Sequence, residues 1–322
     1  MHNPNNLPKV SVVITTYNGE KYLREQLDSI YNQTLIPNEV LVVDDVSTDG
    51  TLLILEDYHQ KKGLKYLIND KQLGVNKNFE KAIKNSTGNY VALCDQDDVW
   101  LPNKIEVSLS KLREIENNMP ACVSSQCINV DKNLNVLTQP AKLKKDTFGC
   151  KATLFLKGVS QGCSLMLNRK LVDAIQNIPS NGVMYDFYIS AVAACIGEKY
   201  NISKPLMYYR HHESNVIARE RKRKKSFFKK ILNRLNIWKN STLFDSNRFS
   251  IFKIINTQYS DRLTKESKEI LHDLLKYQND NTINKIRYIW NEDFYNKKTR
   301  FEKILQLLLT FWIPQGILEA HM

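Results

Sequence analysis

The chain has 322 residues, of which 42% are hydrophobic and 25% are charged, and its formal net charge is +12. This composition excludes a disordered chain and a protein with many membrane spans, and the length allows one large domain or two ordinary ones. The charge is uneven, since residues 1–212 carry 24 basic and 22 acidic side chains, whereas residues 213–322 carry 22 basic and 12 acidic ones. This excess of positive charge predicts an acidic partner for the second part of the chain.

Three features predict a cytoplasmic location. The six cysteines form no CxxC pair, which is typical of a protein in a reducing compartment. The N-terminal segment MHNPNNLPKV contains no apolar signal sequence. The sequence also has no uninterrupted run of about 18 apolar residues that could span a membrane.

In the first part of the chain, runs of β-branched and other apolar residues alternate with helical patterns. The runs predict four strands, at Val10–Thr16, Glu39–Asp44, 64–68 and Tyr90–Cys94. After each of the first three strands, apolar residues recur at helical spacing, which predicts a helix between neighbouring strands. We therefore predict an α/β fold of the Rossmann-like kind, with a mixed, mostly parallel sheet that helices cover on both faces.

The alternation continues beyond Pro102. The pattern predicts a helix that carries Ile105 and Leu109, strands at 121–128, 162–167 and 202–209, and helices at 171–175 and 186–196. Residues 129–160 are irregular and rich in lysine. Neither GxGxxG nor GxxxxGK[ST] occurs, so the two commonest glycine-rich phosphate-binding loops are absent from the sequence.

Three carboxylates, Asp95, Asp97 and Asp98, directly follow the fourth predicted strand. Ligands of open α/β sheets bind at the carboxyl ends of the strands, and carboxylates this close together repel one another unless a cation neutralises them. Hard oxygen ligands suit Mg²⁺ or Mn²⁺, and such ions also bind substrate phosphates. The alternative is a solvated acidic turn that caps the next helix.

A second acidic pair, Asp44 and Asp45, follows the second predicted strand. The polar residues after it, from Ser47 to Asp49, are typical of a helix N-terminus, but such a cap does not need the two preceding carboxylates. A pair of carboxylates at the ligand-binding edge of a sheet is suited to hydrogen bonds from a base N–H group or from ribose hydroxyls. The pair therefore predicts a nucleotide site.

Several segments, in this order, resemble the motifs of family 2 glycosyltransferases with the GT-A fold. They are VSVVITTYNGEKYLREQLDSIYNQT, VDDVSTDGT, LGVNKNFEKAIKNSTGNYVALCDQDDVWLPNKIE and YYRHHESNV. The similarity extends over residues 8–216. It implies a nucleotide-sugar donor, a Mn²⁺ or Mg²⁺ cofactor, and a catalytic domain of residues 1–216 with a donor half at about 8–103 and an acceptor half at about 104–216.

The resemblance also implies roles for individual side chains in the donor half. Thr15 and Tyr17 would line the nucleotide base, Asp45 would bind its N3–H group, Asp95 would lie near the ribose, and Asp97 would ligate the metal. These roles place the nucleotide across the carboxyl ends of the predicted strands.

Two neighbouring positions complete this half of the predicted site. The resemblance makes Asp98 a support for the metal site. The family commonly has glycine where this chain has Val46. We therefore expect the turn after Asp45 to avoid the positive φ angle that glycine allows.

Arg210, His211 and His212 follow one another at the end of the last predicted strand. The resemblance places one histidine near the metal or the diphosphate, and His212 is the better match because Asn215 follows it at the expected distance. Arg210 is a candidate for a phosphate contact, since a guanidinium group matches phosphate in a bidentate way. The alternative is a loop with two surface histidines.

Asp186 stands among apolar and aromatic residues in the segment MYDFY. Such surroundings raise the pKa of a carboxyl group and suit it for proton transfer, and the resemblance makes it the base that takes the proton of the acceptor hydroxyl. The alternative is a helix N-cap, and the two roles can coexist. Tyr185 stands where related enzymes often have Glu or His.

Cys163 is not expected to be a nucleophile, because a single displacement needs none.

The C-terminal region, residues 217–322, begins with a dense run of basic residues. Between residues 219 and 239, apolar and aromatic residues share one helical face within this run, which predicts an amphipathic helix on an anionic membrane surface. The alternative is a helical extension that docks on the catalytic domain. The later apolar stretch at 304–312 is too short to span a membrane. No nucleic-acid motif is present, so we do not expect a nucleic-acid partner.

These observations predict an inverting, metal-dependent glycosyltransferase that is peripheral on the inner face of the cytoplasmic membrane. CDQDDVW resembles bacterial rhamnosyltransferases, which favours rhamnose from dTDP-rhamnose; a UDP-hexose donor (galactose, glucose or N-acetylglucosamine) is the alternative. The expected acceptor is a lipid-linked or polysaccharide glycan of the cell surface, as in O-antigen or capsule. A nucleotidyltransferase is disfavoured because its glycine-rich loop with lysine is missing. A non-catalytic binding module is disfavoured because Asp97, Asp186 and His212 are all present.

Overall fold

The computed structural model describes residues 8–116, 118–138, 153–154, 161–175, 177–180, 183–212 and 246–279. These residues fall into two compact units. The first unit contains residues 8–212 together with 261–267, and the second contains residues 246–260 and 268–279. The predicted domain boundary at residue 216 lies outside the described residues and stays a prediction.

The first unit begins with alternating strands and helices. The strands are β1 (Val10–Thr16), β2 (Glu39–Asp44), β3 (Lys65–Ile68) and β4 (Tyr90–Cys94), and the helices between them are α1 (Leu23–Tyr31), α2 (Thr51–Lys62) and α3 (Val75–Asn85). The four strands are parallel, with β1 between β2 and β4 and with β3 beyond β2. Their carboxyl ends therefore meet at one edge of the sheet.

The second half of this unit adds strands of both directions. The chain continues through β5 (Val99–Trp100), α4 (Lys104–Ile115), β6 (Ala121–Val130), β7 (Val136–Thr138), β8 (Met166–Asn168), α5 (Arg169–Ala174), α6 (Tyr185–Ile196) and β9 (Glu198–Arg210). β8 is antiparallel to β4 and β6, whereas β6 and β9 are parallel. The nine-stranded sheet has the order β3-β2-β1-β4-β8-β6-β9-β5, with β7 beside β6. The predicted mixed, mostly parallel α/β fold is confirmed.

The central strands are buried on both faces of the sheet. Consecutive residues of β1, such as Val12, Val13 and Ile14, have no exposed surface, and the same holds for Val42 and Val43 of β2. Because successive side chains of a strand point to opposite faces, helices must cover both sides of these strands. This double burial explains why the strands appear in the sequence as continuous apolar runs.

One predicted strand is shorter than expected. The sequence predicts a strand at 162–167, but Gly162–Ser164 forms a 3₁₀ turn and the strand begins only at Met166. A side chain at Gly162 would overlap the hydroxyl and ring of Tyr185, the first residue of α6. The turn is apolar because Cys163 and Leu165 are fully buried, which makes its sequence resemble that of a strand.

The second unit contains α7 (Ser246–Gln258) and the greater part of α8 (Lys265–Asn279). Within it, the rings of Phe249 and Phe252 pack edge to face with 5.8 Å between their centroids. Among the described helices, none combines the length and the apolar character that a membrane crossing requires. The basic amphipathic segment predicted at 219–239 and the apolar stretch at 304–312 lie outside the described residues.

Candidate functional site

The candidate site begins where β1 and β2 end side by side. Their last residues, Thr16 and Asp44, are paired in the sheet, and the Thr16 hydroxyl donates to Asp44 Oδ2 at 2.6 Å. Ser47 donates to the same carboxylate twice, from its backbone N–H to Oδ1 at 2.8 Å and from its hydroxyl to Oδ2 at 2.6 Å. Asp44 is fully buried. It therefore holds the turn that presents Asp45 and does not itself face a ligand.

This turn contains strained backbone. Val46 has a φ angle of +66°, in the left-handed region that is costly for a β-branched residue. The expectation that the turn avoids a positive φ is therefore wrong. The backbone is held on both sides, because the Asp45 N–H donates to the Thr16 carbonyl oxygen at 2.8 Å and the Ser47 N–H donates to Asp44. Val46 consequently takes a conformation that glycine would adopt without strain.

Asp45 ties the end of β2 to the start of α3. Its Oδ1 accepts hydrogen bonds from the side-chain amide of Asn69 at 2.8 Å and from the Leu73 N–H at 2.7 Å. Its Oδ2 accepts from the N–H of Gly74, the N-cap of α3, at 2.9 Å. A carboxylate oxygen can accept more than one hydrogen bond. The predicted contact with a base N–H stays a prediction.

The end of β1 is fastened to the acidic segment through Gln96. The Tyr17 N–H donates to Gln96 Oε1 at 2.9 Å, and the Tyr17 carbonyl oxygen accepts from Gln96 Nε2 at 3.1 Å. Thr15 is partly buried, whereas Tyr17 is 42% exposed. Gln96 lies between Asp95 and Asp97 in the sequence. This pair of bonds therefore brings the residues predicted to line the nucleotide base close to those predicted to contact the ribose and the metal.

Asp95 connects the acidic segment to α6. The Tyr185 hydroxyl lies 3.4 Å from Asp95 Oδ1, and the Tyr185 ring stacks on Phe79 with 3.9 Å between the centroids. Burial, followed by the neighbouring charge of Asp97, raises the pKa of Asp95 to about 7. The predicted ribose contact of Asp95 stays a prediction, and the structure places this carboxyl where the donor half meets the acceptor half.

Asp97 and His212 meet although they are 115 positions apart in the sequence. His212 Nε2 lies 2.8 Å from Asp97 Oδ2, and their side chains are 10% and 18% exposed. The ring of Tyr22 packs against the imidazole with 4.8 Å between the centroids. The structure thus brings together the two predicted metal ligands. A carboxylate oxygen and an imidazole nitrogen that converge and reach solvent fit a divalent cation.

A second group of potential ligands lies deeper in the protein. Single donor atoms of Asp95, Asp98 and Cys163 all lie within 4.8 Å of one another. Asp98 and Cys163 have no exposed surface, and burial raises the pKa of each well above its ordinary value. A thiol is also a soft ligand, unlike those that Mg²⁺ and Mn²⁺ prefer. Of the two groups, Asp97 with His212 fits the predicted cofactor, and Cys163 is a buried core residue.

Arg210 holds the acidic segment in place. Its backbone N–H donates to Asp98 Oδ1 at 3.0 Å, and its Nε donates to the Asp97 carbonyl oxygen at 2.7 Å. Its guanidinium group also donates to the Lys132 carbonyl oxygen at 2.8 Å and forms an ion pair with Glu25 of α1. Arg210 is only 2% exposed. The arrangement is that of a positioning residue. The phosphate contact predicted for Arg210 would require some of these bonds to break and stays a prediction.

Asp186 is the second residue of α6 and is partly buried. Its Oδ1 accepts from the Phe187 N–H at 2.7 Å. Burial raises the pKa of Asp186 to about 6, although backbone N–H groups, including that of Gly162, act in the opposite direction. The N-cap of α6 is Met184. The alternative reading of Asp186 as the N-cap is therefore wrong, and its role as the base stays a prediction.

Three residues that organise the site were missed by the sequence analysis. Gln96 stands inside the acidic motif, so its position was a usable signal. Tyr22 gave no separate signal, because in the sequence it fits the apolar pattern of a helix, whereas in the structure its ring contacts both His212 and the Arg210 guanidinium. Asn76 gave no signal, because two of its hydrogen-bond partners are 103 and 107 positions further along the chain.

Comparisons with known proteins bear on the family and on the fold. The family model described as "Glycosyl transferase family 2" matches residues 11–176, just over half of the chain. The dTDP-rhamnosyl transferase RfbG of Shigella flexneri is 29% identical over 227 residues, which cover 64% of this chain and 73% of that protein.

Two solved structures have a similar fold. S. aureus TarS (residues 1–349) in complex with UDP-GlcNAc has a TM-score of 0.59 at 19% identity, and the match covers 94% of this chain and 81% of that one. The mannosyltransferase PcManGT from Pyrobaculum calidifontis in complex with GDP-Man and Mn²⁺ has a TM-score of 0.52 at 17% identity, with coverages of 99% and 90%. At these identities the likeness concerns the fold alone.

Proposed function

The chain belongs to glycosyl transferase family 2, and we propose that it moves a sugar from a nucleotide-sugar donor to an acceptor hydroxyl with inversion of the anomeric centre. The proposal is carried by the contact of 2.8 Å between His212 Nε2 and Asp97 Oδ2. This contact joins the acidic motif of the donor half to the segment after the last strand. It brings together a carboxylate oxygen and an imidazole nitrogen, a pair that suits a divalent cation.

Asp186 is the proposed base. With its pKa raised to about 6, the carboxylate is ionised at neutral pH and is still basic enough to accept a proton in the transition state. The acceptor oxygen attacks the anomeric carbon while the bond from that carbon to the diphosphate oxygen breaks. The acceptor proton goes to Asp186, and the nucleoside diphosphate leaves. One displacement at one carbon inverts its configuration.

A divalent cation held by Asp97 and His212 would neutralise the negative charge that develops on the diphosphate leaving group. We favour Mn²⁺ over Mg²⁺, because Mg²⁺ is bound mainly through oxygen ligands and this pair includes an imidazole nitrogen. The structure of PcManGT with GDP-Man and Mn²⁺ is consistent with this choice. The protein's own contribution to the rate is to hold two substrates in line.

We favour dTDP-rhamnose as the donor. The support is the similarity of the motif CDQDDVW to rhamnosyltransferases, together with the 29% identity to the dTDP-rhamnosyl transferase of Shigella flexneri. A UDP-hexose is the second candidate, and UDP-GlcNAc in the TarS structure supports it. We further propose that the acceptor is a lipid-linked or polysaccharide glycan of the cell surface and that the basic region after residue 217 rests on an anionic membrane.

A donor screen tests the proposal. Purified full-length protein is incubated with dTDP-rhamnose, UDP-glucose, UDP-galactose or UDP-GlcNAc, and released nucleoside diphosphate is measured with Mn²⁺, with Mg²⁺ and with EDTA. We expect turnover of dTDP-rhamnose that EDTA abolishes and Mn²⁺ restores. In Asp97→Asn the same Mn²⁺ concentration should restore less of this turnover than in the wild type. Turnover of a UDP-hexose alone would contradict the rhamnose assignment, and full turnover in EDTA would contradict the metal site. Binding without turnover of any donor would favour a non-catalytic module.

A further inference from the structure

Asn76 lies in the first turn of α3 and makes hydrogen bonds through all parts of its side-chain amide. Its Nδ2 group donates to the carbonyl oxygens of Pro179 and Val183, each at 2.7 Å, and its Oδ1 accepts from the Tyr185 N–H at 3.0 Å. The residue is 9% exposed. A buried amide that uses both hydrogens and its oxygen fixes its partners in direction as well as in distance.

These partners surround the start of α6. The first N–H groups of a helix have no partner within the helix, and a side chain at the N-cap usually accepts one of them. The N-cap of α6 is Met184, which makes no such bond. The Tyr185 N–H is the first of α6, and it is accepted by Asn76 from another helix. Asn76 therefore acts as a remote cap for the helix that begins with Tyr185 and Asp186.

The same helix, α3, is tied to the donor half at its beginning. Asp45 accepts hydrogen bonds from the N–H groups of Leu73 and Gly74, and Gly74 is the N-cap of α3. Asn76 follows two residues later. Asp45 is the carboxylate predicted to bind the nucleotide base. The first turn of α3 thus connects it with the backbone that carries Asp186, the proposed proton acceptor.

A second contact strengthens this connection. Glu80, one turn further along α3, accepts from the Ile178 N–H at 2.9 Å. The segment just before α6 is therefore held to α3 at Ile178, at Pro179 and at Val183.

We propose that Asn76 is a positioning residue that sets the place of Asp186 relative to the bound donor, and so couples the donor half to the acceptor half. This inference rests on the proposed function, in which Asp186 is the base. Displacing a reacting group by about 1 Å can cost about 100-fold in rate. The effect of Asn76 should therefore appear in the rate of transfer and not in the binding of the nucleotide.

The test compares Asn76→Ala and Asn76→Asp with Asn85→Ala in the full-length protein. Asn85 is a matched control, because it lies on the same helix, is exposed and donates only locally, to the Lys81 carbonyl oxygen. In Asn76→Asp the acceptor for the Tyr185 N–H is kept, but an oxygen now faces the carbonyls of Pro179 and Val183. We expect kcat to fall by about 10- to 100-fold in both Asn76 variants, and Asn85→Ala to match the wild type.

Three further readouts distinguish positioning from a general loss of structure. The Kd for UDP and dTDP should stay within about twofold of the wild type. In Asn76→Ala the acidic limb of the kcat profile, which reports the general base, should move to lower pH, because burial raises the pKa of Asp186 and a loosened α6 buries it less. Amide hydrogen exchange should accelerate in peptides that cover 183–190 and not in those that cover β1 and β2. The exchange measurement needs no donor, so it also tests the inference if none of the four sugars is turned over.

The inference is overturned if kcat and the exchange at 183–190 equal those of the wild type, or if nucleotide affinity falls by the same factor as kcat. Asp186→Asn, measured in parallel, distinguishes a failure of the proposed function from a failure of the role of Asn76. Full activity of Asp186→Asn would refute the proposed base. Loss of activity in Asp186→Asn together with wild-type behaviour of both Asn76 variants would refute only the role of Asn76.

Discussion

His212 Nε2 lies 2.8 Å from Asp97 Oδ2, across 115 positions of sequence. The contact depends on two supports. Arg210 holds the backbone of the acidic segment through the Asp97 carbonyl oxygen, and the Tyr22 ring lies against both the imidazole and the guanidinium. The end of β9 and the loop after β4 therefore form one structural element, which carries the pair proposed to bind the cation.

Removing either member of this pair should weaken the response to metal. In Asp97→Asn and in His212→Ala we expect the Mn²⁺ concentration at half-maximal turnover to rise by about tenfold or more, because one ligand is lost and the other loses its partner. Titration of the turnover rate with Mn²⁺ measures this. His211→Ala is the control, since His211 neighbours His212 and its Nε2 lies 2.9 Å from Asn129 Oδ1. An equal loss in His211→Ala, or unchanged titrations in the other two, would refute the assignment.

Tyr185 occupies the space that a side chain at Gly162 would fill. A methyl group at Gly162 would overlap the hydroxyl and ring of Tyr185, and the ring cannot move away because it stacks on Phe79. We expect Gly162→Ala to lower the free energy of unfolding by about 1–3 kcal/mol, as overpacking does, and to reduce transfer because Asp186 follows Tyr185. Denaturant unfolding and turnover measure the two effects.

Gly50→Ala is the matched control for this prediction. A Cβ atom at Gly50 would also lie too close to a neighbour, at 2.7 Å from the end of the Glu20 side chain. Glu20 is exposed and flexible, so it can move aside, and we expect a change in the free energy of unfolding within about 0.5 kcal/mol of zero. Equal losses of unfolding free energy in Gly162→Ala and Gly50→Ala would show that the rigid position of Tyr185 is not what destabilises Gly162→Ala.

Val46 should make the protein less stable than glycine would at the same position. Its φ of +66° costs about 1–2 kcal/mol for a residue with a Cβ atom, whereas the greater freedom of glycine in the unfolded chain costs about 0.4–1 kcal/mol. We expect Val46→Gly to raise Tm by about 2–4 °C and Val46→Ala to gain less, because alanine keeps the Cβ atom. Thermal unfolding measures the Tm of both variants. A lower Tm in Val46→Gly than in the wild type would contradict the prediction that Val46 is strained.

The sequence predicted those parts of the molecule that are determined by neighbouring residues. The strands from β1 to β4 appear as apolar runs because both faces of the sheet are covered, and Asp45, Asp95 and Asp97 stand out because they follow such strands. The left-handed backbone at Val46 was predicted wrongly, because hydrogen bonds of its two neighbours, to Thr16 and to Asp44, hold a valine in the conformation that glycine favours. The remote cap from Asn76 could not be predicted, because a single sequence does not show which residues meet over more than a hundred positions.

Asp186 should be required for transfer and should destabilise the protein above about pH 6. Its pKa is raised from an ordinary value of 3.8 to about 6 by burial, so the folded protein favours the neutral carboxyl group. This contribution to stability is complete below about pH 4 and is lost as the pH rises through 6. We therefore expect Asp186→Asn to raise Tm by about 2–4 °C at pH 8, with the gain disappearing near pH 4.

The same substitution should lower turnover by about 100-fold or more, since a positioned base contributes about 10²–10⁴ to a rate. In the wild type, kcat should fall as the pH drops below 6, because protonated Asp186 cannot accept the acceptor proton, whereas the small residual rate of Asp186→Asn should show no such limb. Scanning calorimetry and turnover from pH 4 to pH 9 measure both effects in one pair of proteins. A variant that is more stable at pH 8 and yet fully active would show that Asp186 is a strained core residue and that another group is the base.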